Sequence, residues 1–429
     1  MSKDQKSKND IAWERIFENY PVLDAISKEG SFIITSDQIK EFREPRLMVK
    51  FDHLINLPQI FRKNNLSILP LTRKQYMISD FQTHAKFKNL NNDIIEIALP
   101  EHIQSLCSTN IFSEATAINY AFASGILSDF LEEENLIPTV SGRMSSESFE
   151  FFIQNNTNST ISKVYVNKSQ IEIDAAFEGI ECLSLFEVKM NISDDFIIRQ
   201  LYYPFRTWEN RISKNIRLVL LVYSNSIFRM YEYKFANPCC YNSIVLIKQK
   251  NYSIEDMEIR LDAIIKIKDE IDIFNIPQIQ FPQADNFNRL INLCELLFTR
   301  PMMQEEITNE YAFDIRQSIY YADAGIYLGL IKKSNTGHGP VYELTIKGKE
   351  IINLAYKSRQ LELCRCILKD ATFYHVFDMY LNSGVMPSKN QIVEIMRSNL
   401  SSFNYAERTL KRRSSSVKGW IKWIVSLPN

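Results

Sequence analysis

The stretch "IEIDAAFEGIECLSLFEVKM", Ile171 to Met190, decides how this chain is read. Glu172, Asp174, Glu187 and Lys189 sit there inside two short, apolar, β-rich runs, where an unpaired charge is costly. On a strand, alternate side chains share a face. Ile171, Ile173 and Ala175 are therefore expected on one face, with Glu172 and Asp174 on the other. In the second run Glu187 and Lys189 share one face, and Phe186 and Val188 take the opposite one. A tight hairpin between the runs brings Asp174 beside Glu187 and Lys189. Two carboxylates from neighbouring strands suit a hard cation such as Mg2+, which completes its octahedron with water. Such a metal lowers the pKa of a bound water and takes up charge on a scissile phosphate. The lysine can orient or deprotonate that water, because a metal and burial both lower an ammonium pKa. Alone, an E-x-K triplet is a weak signal, because on an exposed strand face it is usually a cross-strand ion pair.

Outward from these runs, "SEATAINYAFASGILSDFLEEENLIP" has helical spacing from the capping Ser113 and stops before Pro138, which predicts one long helix. Strands are expected at 149–153, 163–166, 170–179 and 182–190. A helix capped by Ser193 or Asp194 and kinked at Pro204 follows, then strands at 216–225 and 227–235. On the N-terminal side, Arg43, Arg46, Lys50 and Arg73 stand among prolines and short apolar runs. They read as loops on a scaffold, serving either as a salt-bridged rim or as ligand contacts.

Helical patterns dominate the C-terminal third. A helix at 285–299, "MQEEITNEY", "FDIRQSIYYADAGIYLGLI" and "KKSNTGHGPVYELT" follow one another as in a winged helix, three helices and a glycine-tipped wing. Arg316 in the candidate recognition helix stands near Asp314 and Asp323, so that helix carries little positive charge. A second helical unit begins near residue 358. Its last segment holds Arg408, Lys411, Arg412, Arg413, Lys418 and Lys422 against Glu407, with Trp420, Trp423 and Ile424 as an apolar side. Such a helix either tracks phosphates or presents a solvated face.

With 429 residues the chain calls for two or three domains, and 45% hydrophobic content gives each a core. Fifty basic against fifty-one acidic residues leave any polyanion to local patches. None of the seven cysteines shows C-x-x-C spacing, which argues against a zinc site and for reduced thiols. The start "MSKDQKSKND" is polar, and the apolar run "LVLLVY" from Leu218 is too short to span a bilayer. A cytoplasmic protein without a membrane role is the expectation.

Asp174 lies thirteen residues before Glu187, both runs have apolar flanks, and a helix and a strand come next. This resembles the "D…(D/E)-x-K" pattern of the PD-(D/E)XK nucleases, with Ile173 where the family name has proline. "REPRLMVKFDHLINLPQIF…LSILPLTRKQY", "SGRMSSESFEFFI" and "RRSSSVKGWIKWI" also look like type II restriction endonuclease-like proteins with a C-terminal winged helix, across nearly the whole chain. The resemblance implies an α/β (α+β) fold. Residues 111–283 would form a nuclease core with a mixed sheet flanked by helices. Residues 1–110 would be an N-terminal α/β recognition or accessory domain, and 284–429 a mostly helical winged-helix domain.

The same resemblance implies Mg2+-dependent hydrolysis of double-stranded DNA at a specific sequence. Asp174 and Glu187 would hold the metal and Lys189 would activate or position the water. A cognate methyltransferase would protect the cell's own sites. DNA contacts are expected from Arg43, Arg46, Arg73, Arg316, Lys411, Arg412, Arg413 and Lys418, and a homodimer is left open. Gln200 stands where some branches carry a glutamine, but Pro204 replaces the tyrosine four residues later, so a site role and helix packing are equal readings. Glu132, Glu133 and Glu134 end the upstream helix, where such proteins often place one more acid, while a solvated charge run is the reading for most of them. Two other readings stay open: a repair nuclease that recognises DNA shape, and a winged-helix regulator with a decayed nuclease domain. The intact Asp174, Glu187 and Lys189 set speaks against decay.

Overall fold

The computed structural model describes residues 6–88, 90, 93–107, 111–157, 160–273, 279–311, 313–337, 339–400 and 405–428. The fold is mixed α+β around a seven-stranded sheet. Its strands run in the order Ile94–Glu96, Ile244–Ser253, Ile227–Phe235, Asn215–Ser224, Cys182–Lys189, Gln170–Glu178 and Ile137–Ser145. Cys182–Lys189 pairs antiparallel with Gln170–Glu178 and parallel with Asn215–Ser224, where Glu187 sits opposite Leu220. A parallel pair needs a crossover, and the helix Arg199–Trp208 supplies it. That helix packs on one face of the sheet, with Leu201 and Tyr202 against Ile171, Leu183 and Leu185. Helices Glu114–Ala123 and Ile126–Leu131 cover the other face, where Ala117, Leu127 and Phe130 meet Phe186, Val188 and Val219. Cover on both faces explains why Asn215–Ser224 is almost continuously apolar.

Several expectations change. The single helix expected from Ser113 breaks at Gly125, whose φ of +86° is left-handed, and a second left-handed residue, Glu132, ends the next piece. Beyond it, Ile137–Ser145 is a strand at the edge of the sheet. Pro138 is tolerated there because an edge strand has a side without ladder partners. The residues around Ser193 cap no helix. Asp195–Ile197 instead forms a short strand with His84–Lys86, and the helix begins at Arg199. Residues 84–86 and 94–96, read from sequence as N-terminal, thus pair with strands of the central unit.

The N-terminal unit has helices Lys8–Asn19 and Val22–Glu29 and a three-stranded sheet, with Trp13, Ile16 and Phe61 at its core. The C-terminal unit runs helix Phe287–Thr299, strand Met302–Met303, helices Gln304–Glu310 and Ile315–Tyr327, and the hairpin Ile331–Thr336 with Gly339–Leu344. His338, which falls in the expected glycine-tipped wing, lies outside the described residues. Among the described residues five further helices follow, the last being Glu407–Val425. No helix among the described residues is long and apolar enough to cross a membrane.

The first C-terminal helix is bonded to the central sheet. Asn292 accepts from Ile192 N–H at 2.9 Å and donates to Met190 O at 2.8 Å, just past Lys189. Glu295 accepts from Asn225 N–H and Ser224 Oγ, both at 2.9 Å, and Arg359 lies 3.5 Å from it while donating to Asn225 and Ser226.

The N-terminal unit is joined through His84. This buried ring bonds Phe51 O at 3.0 Å through Nε2, and burial pushes its pKa down to about 4, with Asp195 opposing. The folded protein therefore refuses a proton that the unfolded chain accepts near pH 6.5. Its stability contribution is present above that pH and lost as the pH falls toward 4. At 1.36 kcal/mol per pH unit the loss reaches about 3 kcal/mol. Urea midpoints at pH 7 and pH 4 should differ by less in His84→Gln than in the parent.

Candidate catalytic centre

Asp174 and Glu187 meet because the two strands pair with Ala175 opposite Phe186, which sets residue 174 against residue 187. One part of the expected alternation fails. Ile171 and Ile173 face the crossover helix, whereas Ala175 packs on the opposite face with Phe177. The phase changes where the pairing with the edge strand shifts register, between Val140 and Gly142. This irregularity turns Asp174 toward Glu187 and away from the periodicity set by the isoleucines.

Asp174 Oδ2 accepts from Val188 N–H at 2.7 Å, and Lys189 Nζ donates to Glu187 Oε1 at 2.5 Å. The Lys189 and Glu187 side chains are only 13% and 8% exposed. Burial raises the Glu187 carboxyl to about 8, with Lys189 opposing and Asp174 and Asp52 adding to the rise. Burial also raises Asp174, against the Val188 N–H and Lys189. Lys189 feels two opposing effects. Burial alone would lower its ammonium pKa, but Glu187, Asp52 and Glu114 hold it above the ordinary range. Without a metal this lysine is a fixed cation and no proton acceptor.

Two contributors escaped the sequence reading. Asp52, from the N-terminal unit, is held below the usual carboxylate range: burial opposes its charge, and Lys189, Lys50 and Arg199 outweigh that cost. Glu114, on the first turn of Glu114–Ala123, keeps exposed surface, yet desolvation raises its carboxyl, with Lys189 opposing and Asp174 and Asp52 adding. The acid whose charge reaches this cluster thus lies at the start of the upstream helical segment. Glu132 pairs with Lys248 at 2.8 Å, and Glu133 accepts from Ile180 N–H. Gln200 borders a small cavity with Glu187, and its Oε1 is buried without a hydrogen-bond partner.

No group of three His, Cys, Asp or Glu side chains among the described residues is close enough to hold a metal by itself. The centre offers Asp174 and Glu187, and a hard cation could complete its shell with water and phosphate oxygen.

The expected DNA-contact residues scatter. Arg46, Arg73, Lys411 and Arg412 are exposed, and Lys418 is half-buried. Arg316 is exposed beside a cleft shared with Arg62 and Lys63. Arg43 braces two units, bonding Glu305 at 2.5 Å and Asn9 at 2.9 Å. Arg413 is buried at 3% exposure, donating to Phe281 O with its guanidinium 4.8 Å over the Tyr405 ring. It falls on the inward stripe formed by Leu410, Val417, Trp420 and Ile424, which removes it from the phosphate-tracking set.

Family profiles described only as domains of unknown function match three stretches: residues 10–78 (DUF6996), 79–253 (DUF6997) and 289–429 (DUF7226). No curated protein and no solved structure matches the chain. The chain is thus similar to three domains of unknown function in series, with Asp174, Glu187 and Lys189 in the middle one and Asp52 in the first.

Proposed function

We propose that the protein is a Mg2+-dependent endodeoxyribonuclease of the type II restriction class, with a PD-(D/E)XK core and a winged-helix tail. The observation that carries this reading is the Asp174, Glu187 and Lys189 cluster on adjacent strands. The order of elements around it supports the reading: a helical layer, three antiparallel strands, a crossover helix and a parallel strand. Asp174 and Glu187 would hold the cation, and Lys189 would orient the attacking water on the scissile phosphate. The helix–strand–helix–helix–hairpin succession from Phe287 supports a winged-helix contribution to duplex binding. In a restriction system a cognate methyltransferase would act on the same site.

Digestion of plasmid and phage DNA with Mg2+, followed by sequencing of the fragment ends, tests the proposal. Discrete fragments with one shared end sequence support it. Cutting confined to branched or damaged duplexes would replace it with a repair role, and no cutting with Mg2+ or Mn2+ overturns it.

Salt dependence tests the last helix. Replacing Lys411, Arg412 and Lys418 by glutamine should lower the slope of log K against log salt by about 0.9 for each phosphate that is no longer neutralised. Arg413→Gln should lower the unfolding midpoint and leave that slope unchanged.

A further inference from the structure

We infer that Asp52, supplied by the N-terminal unit, is a positioning residue of the catalytic centre that keeps the Lys189 ammonium in place when a cation engages Glu187. This rests on the nuclease reading of that centre.

The residues on both sides of Asp52 are fixed to the central unit. Before it, Phe51 O accepts from His84 Nε2 at 3.0 Å. After it, His53 Nδ1 donates to Asp195 O at 2.8 Å, so its Nε2 is free to accept from Asn191 Nδ2 at 3.2 Å. Leu54 N–H adds a bond to Asp195 Oδ1 at 3.3 Å. Asn191 lies two residues beyond Lys189. The N-terminal loop and the end of the E-x-K strand are therefore held in one register.

Within this frame the Asp52 carboxylate is incompletely satisfied. Oδ2 lies 3.7 Å from Lys50 Nζ, while Oδ1 is buried without a hydrogen-bond partner. Leaving a buried carboxylate oxygen unpaired is costly. Of the cations whose field reaches Asp52, Lys189 acts most strongly, ahead of Lys50 and Arg199.

The need for this second counter-charge follows from the chemistry proposed for Glu187. In the metal-free centre Glu187 holds Lys189 directly. A divalent cation held by Glu187 would draw on that carboxylate's charge and weaken its hold on the ammonium. A lysine with no other anion would swing away from the water it should orient. Asp52 stands outside the Asp174 and Glu187 pair and keeps its charge when the metal arrives.

The test uses full-length Asp52→Asn, Asp52→Glu, Lys189→Ala and the Asp52→Asn/Lys189→Ala pair. Single-turnover cleavage is measured at saturating duplex, and duplex affinity is measured with Ca2+ replacing Mg2+. Asp52→Asn should slow cutting by about thirtyfold or more while affinity stays within about twofold, and Asp52→Glu should recover part of the loss. The double variant should cut no more slowly than Lys189→Ala, because one residue acts through the other. Parent-like cutting by Asp52→Asn, or losses that multiply in the double variant, overturn the inference.

Thermal unfolding of the same four proteins without metal gives a readout that does not need nuclease activity. Non-additive midpoint shifts support the Asp52–Lys189 pairing, and additive shifts overturn it. A parent protein that cuts no DNA would sink the nuclease reading while this cycle still decides the pairing.

Discussion

Asp174→Asn and Glu187→Gln proteins should bind duplex DNA with near-parental affinity and cut it at least about a thousandfold more slowly, the scale of losing a metal's charge stabilisation. The amides are the informative replacements. Asp174 accepts from Val188 N–H, so alanine there would strand a buried donor at a cost of about 1–3 kcal/mol and confuse folding with chemistry. Asparagine still offers an oxygen to that N–H and removes only the charge. Glutamine at 187 likewise keeps an acceptor for Lys189, whereas alanine would leave a buried ammonium without its nearest partner. Single-turnover cleavage and filter binding in Ca2+ separate the two properties. Parental cutting by either amide variant would remove that residue from the centre.

The second large effect is expected at Lys189. Lys189→Ala should lose at least about a hundredfold in rate, the usual scale of a lost proton-handling or water-orienting group. Extra Mg2+ should not restore it, because a cation held by the carboxylates would not replace a donor aimed at water. Lys189→Arg should recover little, since a planar fork does not fit where a compact ammonium reaches Glu187. Because the surrounding acids hold Lys189 protonated, the rate should show no descending limb at neutral pH from loss of its charge. Metal rescue of Lys189→Ala would reduce this residue to a counter-ion of the carboxylates.

The part of this centre visible in the sequence was the part governed by local periodicity. Glu187 and Lys189 share a face because a strand alternates, and short spacing brings Asp174 back across the turn. The crossover helix and the wing-like hairpin were also marked by apolar spacing and glycine. Other features depend on distant pairing. The break at Gly125 sits inside an unbroken helical pattern, and the strand at Ile137–Ser145 exists because it completes the sheet edge. Asp52 and Glu114 reach Lys189 from elements far apart in sequence, so no spacing rule could join them. Arg413 looked like one more cation in a basic run, and only the packing of its helix makes it an interior residue.

The bonds that Asn292 and Glu295 make to the central sheet bear on how such a chain can evolve. A module tethered by a loose linker can be exchanged for another by recombination. Here the C-terminal unit contributes the largely covered Glu295 carboxylate that caps the Ser224–Asn225 turn, and Arg359 completes the same cluster. Replacing that unit wholesale would strip the partners from backbone groups lying just beyond Lys189. Point changes on exposed loops leave these bonds in place, whereas a chimera joined near residue 286 is expected to lose them along with the original tail.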